Sequence, residues 1–589
     1  MILKALYDYY HRCGDLAPNG MEYKEIAFII VIDKKGHFLR LEDCRIDNKT
    51  TKKFLVVKGA RTSAPKPYLF WDNVEYALNY TKAHKEIQSK ISDKKLLASI
   101  NKSQIKHDLF VKQCIDVAAQ YKDENDFMAV SLFYKNNGVE AVMKSDLWPE
   151  IEKKPTINIS FRINGSLDIV AENDKLLEYS QQSNDNNNDN SDKAICLITG
   201  LSTNCVSTTS ATPIIGSQAT AKLVSFQVNS GYDSYGKSKG SNASISVEAE
   251  ACYTTALNRL LQKDSQNKFT IGNRTFVFWA SNNSETSKQV ESCFFNFLTN
   301  LKSDDPNRRI HEVRQVFNSI FSGHLTVQNK DKFYILGLAP NSARIAVIYW
   351  RETTIKDFAE KILKHFDDFD IKDSRKEQKP YYGIYNIITT VALQGKESNV
   401  SPNLVEAVMK SIIEGIPYPY SLFSSCMRRI KAETDKDVLV TRAAILKAYL
   451  NRLRNNNNKY LENMLDKTND NIGYLCGRLF ATLVKIQEEA NNISSIRERY
   501  MNSASTTPAT VFANLLNLSI HHEEKLNPGR KIKFEQLKSE ILDKVTAAGF
   551  PAHLDINDQA RFFVGYYHQR QDFFTRKAEK ENNETIINN

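Results

Sequence analysis

No run of apolar residues in this sequence is long enough to cross a membrane. The longest, residues 26–32, falls far short of the ~20 that a spanning helix needs. The opening stretch MILKALYDYYHRCGD has neither an uninterrupted apolar segment nor a small-residue cleavage site, so the expected location is the cytoplasm. Cysteine is sparse: nine in 589 residues, with no CxxC, which argues against a disulfide framework and against zinc. Also missing are a Walker A loop, a dinucleotide fingerprint and an HExxH motif. No Ser-His-Asp or Cys-His arrangement stands out, so the signals for an enzyme are poor and no metal or other cofactor is expected. Neither sign of charge dominates. Lys and Arg number 79 against 69 Asp and Glu, a net +10, so a polyanion-binding surface must be local.

What is present reads as α+β. The length exceeds one compact core and predicts two to four domains. We place a mixed region with a helix and antiparallel sheets at 1–150, a β-rich mixed region at 151–400 and a helical bundle at 401–589. The first helix covers about residues 2–12. The runs EIAFIIVID, HFLRLEDCRI and KKFLVVKG then read as an antiparallel meander, and residues 81–121 as helical. Asn164-Gly165 and Gly272-Asn273 signal hairpins, and FYILGLAP with ARIAVIYW forms another strand pair. The tract 180–193 is polar and low in complexity and reads as a disordered excursion. In NIGYLCGRLFATLVKIQEEA the apolar stripe Ile472, Leu475, Leu479, Leu483 and Ile486 leaves Arg478 and Lys485 off the packed face.

Three segments carry chemistry suited to nucleic acid. Residues 223–261 run from a strand-like stretch through a loop with Gly231, Gly236 and Gly240 into an apolar-periodic helix. In that loop Tyr232, Tyr235, Lys237 and Lys239 suit stacking and phosphate contact, although a solvated loop has the same composition. Residues 58–66 offer Lys58, Arg61, Thr62, Ser63 and Lys66, a basic, hydroxyl-bearing set able to enter a groove; a plain connecting loop is the alternative. Residues 428–459 are basic, with no carboxylate between 441 and 460, and read as either a phosphate track or a solvated face. Against these stands a different class of function. Asp367, Asp368 and Asp370, or His521 and His522, could serve a metal-dependent nuclease acting on DNA. A third reading is an assembly protein whose basic faces pack on acidic subunits.

In order along the chain, RTSAPKPYLFWDN, CLITG, LVSF, SYGK, YTTALNRLL, LGLAPNSARI, IPYPYSLF, MRRIKAE, RAAILKAYLNR, GRLFATLVKIQ, SASTTPATVF and GYYHQRQDFF resemble the large subunit of the subtype I-C CRISPR interference complex (Cascade). Departures fall at Thr212-Pro213 and Ile215-Gly216, where the family pattern has His-Pro and Lys-Gly. The resemblance implies a non-catalytic subunit that recognises the protospacer-adjacent motif in double-stranded target DNA, aids duplex opening and R-loop stabilisation, and docks a helicase-nuclease. It further implies guide CRISPR RNA and the backbone and guide-end subunits of the complex as partners, with no membrane. On this footing Lys58, Arg61, Thr62, Ser63 and Lys66 would read the motif. Tyr232, Tyr235, Lys237 and Lys239 would contact duplex or guide, and Arg442, Lys447, Arg452, Arg454, Arg478 and Lys485 would line the displaced strand. It also implies copies of a small subunit matching the C-terminal helices, with Met464 as their internal start.

Overall fold

The computed structural model describes all residues except 48–49, 60–64, 88–92, 186–192, 228–232, 234, 300–305, 375–382, 435–436, 454–459, 494 and 575–589. The expected α+β class is what it shows: small, mainly antiparallel sheets with helices, then a helical C-terminal part. The chain divides into two compact units. One comprises residues 14–207 and 233–255, the other residues 1–13, 208–232 and 256–589. The segments of each unit are thus discontinuous in sequence, unlike the three consecutive stretches drawn from composition. Helix α1 (Ile2–Arg12) starts the chain as expected.

The 14–207/233–255 unit is built on a four-stranded sheet. Strands β1 (Met21–Glu25), β2 (Phe28–Ile32), β3 (Phe38–Asp43), β4 (Lys53–Val57), β5 (Trp71–Asn73) and β6 (Asn158–Ile163) precede a short hairpin, β7 (Ala194–Ile195) and β8 (Ser202–Thr203). The central order is β3-β2-β6-β5, with β2 and β6 parallel. β2 is buried throughout, which explains its unbroken FIIVI composition, since a central strand packed on both faces has no polar side. Helix α2 (Lys94–Gln120) packs nearby through Phe110, Cys114 and Val117.

Two expectations fail here. The meander stops after β3, because β4 pairs instead with β1 in a separate ribbon. No hairpin follows Asn164-Gly165. Gly165 takes φ 91° and turns the chain, but the next residues form a single 3₁₀ turn, Val170–Glu172, so β6 finds its partners in β2 and β5. Of the tract 180–193, residues up to Asp185 continue the helix Lys175–Asp185; residues 186–192 lie outside those described.

In the other unit the meander β9 (Lys268–Ile271), β10 (Arg274–Ala280), β11 (Lys332–Asn341) and β12 (Arg344–Thr354) has the expected turns and the order β12-β11-β10-β9. Helix α3 (Val247–Leu260) precedes this meander, its residues up to 255 belonging to the first unit. Helices α4 (Ile355–Phe369), α5 (Pro402–Glu414), α6 (Tyr420–Ala432), α7 (Val440–Arg452), α8 (Ile472–Asn491), α9 (Pro528–Leu542) and α10 (Ile556–Phe574) continue the core of the meander. α8 is not amphipathic as expected. It is buried on all sides from Gly473 to Val484, as a helix enclosed by neighbours must be. All nine cysteines are free thiols. Among the described residues, no helix is long and apolar enough to cross a membrane.

Candidate nucleic-acid interface

The loop ahead of α3 is held by its own side chains. Asp233 Oδ1 accepts from the Lys239 N–H (3.3 Å) and from the Asn242 amide (3.1 Å). The same amide donates to the carbonyls of Lys237 (3.4 Å) and Lys239 (3.2 Å). Short side chains bonding to nearby backbone are what fix a turn that lacks a ladder. Gly240 is required at the foot of the loop, since a Cβ there would lie 1.9 Å from the Val206 carbonyl oxygen. Its N–H donates to Ser207 (3.0 Å), and Val206 N–H donates to Ile245 (2.9 Å).

Pinned in this way, the loop presents its functional groups outward. Tyr235 is 100% exposed and takes φ 53°, followed by Gly236 at φ 72°. Lys239 also takes a positive φ, 47°. Left-handed backbone costs a non-glycine residue roughly 1–2 kcal/mol, and two such residues flank Lys237. Lys237 and Lys239 are exposed, and among the described residues neither ammonium has a carboxylate partner. The loop therefore places one aromatic face and two cations in solvent on a hydrogen-bonded base. Tyr232, expected to join them, lies outside the described residues.

The β7–β8 hairpin is stitched to the same base: Leu197 N–H donates to Ser244 (2.9 Å), and Cys205 bridges to Ser246. Ser246 N–H points at Cys196 Sγ (3.3 Å). Burial pushes the Cys196 thiol up, but donors from Ser246 and Thr199 outweigh it and bring it down to about 6. The hairpin exposes Ile195, Leu197 and Leu201, each more than 60% accessible. Sequence reading missed this apolar edge. The available signal was CLITGL, too apolar for a two-residue strand with one side in water.

The loop at 58–66, expected to read the motif, is described only at its ends. Arg61, Thr62 and Ser63 lie outside the described residues; Lys58 and Lys66 are exposed. Its base is fixed. Tyr68 stacks on Trp71 (centroids 4.3 Å apart, planes 3° apart), Lys24 lies over that indole, and buried Asp72 accepts from Tyr68 N–H (3.1 Å). Gly59 allows the chain to pass Tyr68, whose ring would stand 2.3 Å from any Cβ.

The expected displaced-strand row needs correction. Arg442 is buried and paired with Glu433 (3.0 Å). Lys447 is 1% exposed and donates to the Asp368 carbonyl (2.9 Å). Arg452 binds the Asp368 carboxylate (2.5 Å) and the carbonyls of Ser411 and Ile416 (both 2.7 Å). Arg478 is 0% exposed and meets Glu540 (2.8 Å) and Gln569 (3.1 Å). Lys485 pairs with Glu489 one helical turn on (3.4 Å). Arg454 lies outside the described residues. Five cations read as strand contacts are thus engaged within the bundle.

The carboxylates of the nuclease reading are dispersed to separate partners. Asp367 pairs with Arg314, Asp368 with Arg452, and Asp370 accepts from Asn463 (2.8 Å). Burial raises the Asp368 pKa and Arg452 works against it. His522 is turned toward Asn491 (2.9 Å), with burial and then Lys525 lowering its pKa. Met464 lies in the exposed loop ahead of α8.

The sequence pattern of CRISPR-associated protein (Cas_Csd1) matches residues 6–574, nearly the whole chain. A search of curated proteins finds none that matches.

Proposed function

The chain belongs to the CRISPR-associated Cas_Csd1 family, and from that premise we propose that it is the non-catalytic large subunit of a subtype I-C Cascade. In this reading it contacts nucleic acid through the loop at 233–242. The observation that carries the proposal is Tyr235, fully exposed at a strained backbone angle beside Lys237 and Lys239 on a pinned turn. Aromatic faces stack on bases whatever their sequence, and lysines displace counterions from phosphates. Such a site supplies hold, and guide pairing supplies sequence.

Recognition of the protospacer-adjacent motif falls to residues 58–66, because the Tyr68–Trp71 base gives that loop a rigid mount. Ile195, Leu197 and Leu201 suit a protein partner within the complex, since exposed aliphatic groups gain by being covered. Guide RNA, duplex DNA, the other subunits and a helicase-nuclease are the partners this assignment brings. Met464 is the internal start of a separate small subunit.

The test is a binding titration on target duplex at several salt concentrations. Tyr235→Ala with Lys237→Gln and Lys239→Gln should weaken binding roughly 10- to 100-fold and flatten the salt slope by about 2. Unchanged affinity and slope would remove this loop from the interface. Arg61→Ala should instead erase discrimination between motif-bearing and motif-free duplexes.

A further inference from the structure

A cavity of about 220 Å³ opens in the larger unit between the turn at 391–400, the start of α5 and one face of α6. Its polar side is formed by Asn399, Ser401, Ser425, Arg428 and Arg429, and no carboxylate lines it. Arg428 is exposed and has no ion-pair partner among the described residues. Arg429 has one long ion pair, 3.9 Å to Glu433, whose other oxygen is held by Arg442 at 3.0 Å. Among the described residues no other carboxylate pairs with the Arg429 guanidinium. Ser401 is the N-cap of α5, yet its hydroxyl makes no capping bond and remains for a ligand; Pro402 carries no N–H, and the Leu404 N–H donates to the Ser401 carbonyl (3.0 Å). Two guanidiniums and hydroxyl donors around an acid-free hollow suit phosphate, which arginine meets with paired N–H donors.

The opposite side is apolar, with Val391 and Leu404 buried and Leu393 54% exposed at the mouth. Gln394 (φ 58°) and Gly395 (φ 66°) hold the tight turn that carries Leu393. The volume lies below the roughly 300–1,000 Å³ of sites that engulf a drug-sized molecule. It suits one phosphate with a small apolar-faced body. We propose that this cavity binds a single nucleotide unit, its phosphate on Arg428, Arg429 and Ser401 and its sugar or base against Leu393. The nucleotide is either part of a single strand, which rests on the function proposed above, or a free mononucleotide, which does not.

Hydrogen exchange on the full chain separates these sources, with a short single-stranded DNA, AMP and inorganic phosphate as probes. The expected result is slowed exchange at 391–404 and 425–429. Arg428→Gln with Arg429→Gln should abolish it and weaken single-strand binding about tenfold. Ser401→Ala, which removes no capping bond and so leaves melting unchanged, should reduce it as well. Protection by AMP without protection by DNA keeps the site and assigns it to a free nucleotide, even if the chain binds no strand. Single-strand binding that needs Lys237 and Lys239 but never protects these segments overturns the cavity and leaves the proposed function standing. Absence of protection with all three probes, or its survival in the double arginine variant, also overturns it.

Discussion

Arg452 and Asp368 belong to segments that read, separately, as a strand contact and a metal ligand, and each cancels the other's reading. Their ion pair is almost wholly buried, and the guanidinium also lies over the Tyr418 ring at 4.2 Å. Removing one member of such a pair leaves an uncompensated buried charge, which costs about 3–5 kcal/mol. Asp368→Ala should therefore lower the unfolding free energy read from chemical denaturation by that amount, and incubation of the wild type with DNA and Mg²⁺ should yield no cleavage for it to abolish. Cleavage by the wild type, lost in a folded Asp368→Ala protein, would restore the nuclease reading. His568 sets a pH dependence. It is buried against the Tyr474 hydroxyl (3.0 Å), and burial, followed by the charge of Lys447, brings its pKa down to about 3 from an ordinary 6.5. Between those values the unfolded chain takes the proton and the folded chain does not. Stability is thus intact above pH 6.5 and falls as the pH drops toward 3, with a slope of up to about 1.4 kcal/mol per pH unit. His568→Phe should flatten the loss of melting temperature between pH 7 and pH 5 relative to wild type.

At the scale of elements, the C-terminal bundle depends on how closely α8 and α10 approach. A Cβ on Gly477 would stand 2.0 Å from the Phe562 carbonyl oxygen, and one on Gly473 would stand 2.3 Å from that of Asp558. On α10, a Cβ on Gly565 would stand 2.3 Å from the Tyr474 carbonyl oxygen. These neighbours are backbone, so the helices themselves must separate to admit a methyl group. Gly477→Ala should destabilise by about 1–3 kcal/mol despite its gain in helix propensity, measurable by chemical denaturation. Equal or higher stability would show that the crossing is looser. The glycines were visible in the sequence, but their role was not, because helical periodicity marks large apolar side chains and passes over the positions where backbones touch. The hairpins at Gly272-Asn273 and around Asn341 were legible because their partners are adjacent in sequence. The pairing of β1 with β4 and of β2 with β6 was not, since local pattern identifies a strand without naming its neighbour.

Over the whole molecule, a net charge of +10 says little about where a polyanion would sit, because many cations are consumed internally. Arg497 and Arg570 both bind Asp437, at 2.9 and 3.0 Å, and Tyr566 donates to the same carboxylate. Lys431 reaches Gln559, and Tyr567 donates to the Lys372 carbonyl (3.0 Å). A product beginning at Met464 lacks Asp437, Lys431 and Lys372, so it loses these ties together with the packing of α7 on α10. Produced alone, such a fragment should melt below the full chain and expose apolar surface to a hydrophobic dye. Within the purified complex it should appear as a separate band, and its absence there would refute the internal start.

The sequence by itself determined the family, the α+β class, the helical C-terminal part and the loop that carries Tyr235, Lys237 and Lys239. These depend on residue order, periodicity and local turn chemistry, all of which act over a few positions. Only the tertiary structure decided which cations face solvent. Arg442, Arg452 and Arg478 look no different in sequence from Arg428, and what separates them is whether a carboxylate or carbonyl from a distant element arrives beside them. Burial makes such a partner obligatory, because an unpaired charge removed from water costs more than the fold can offset.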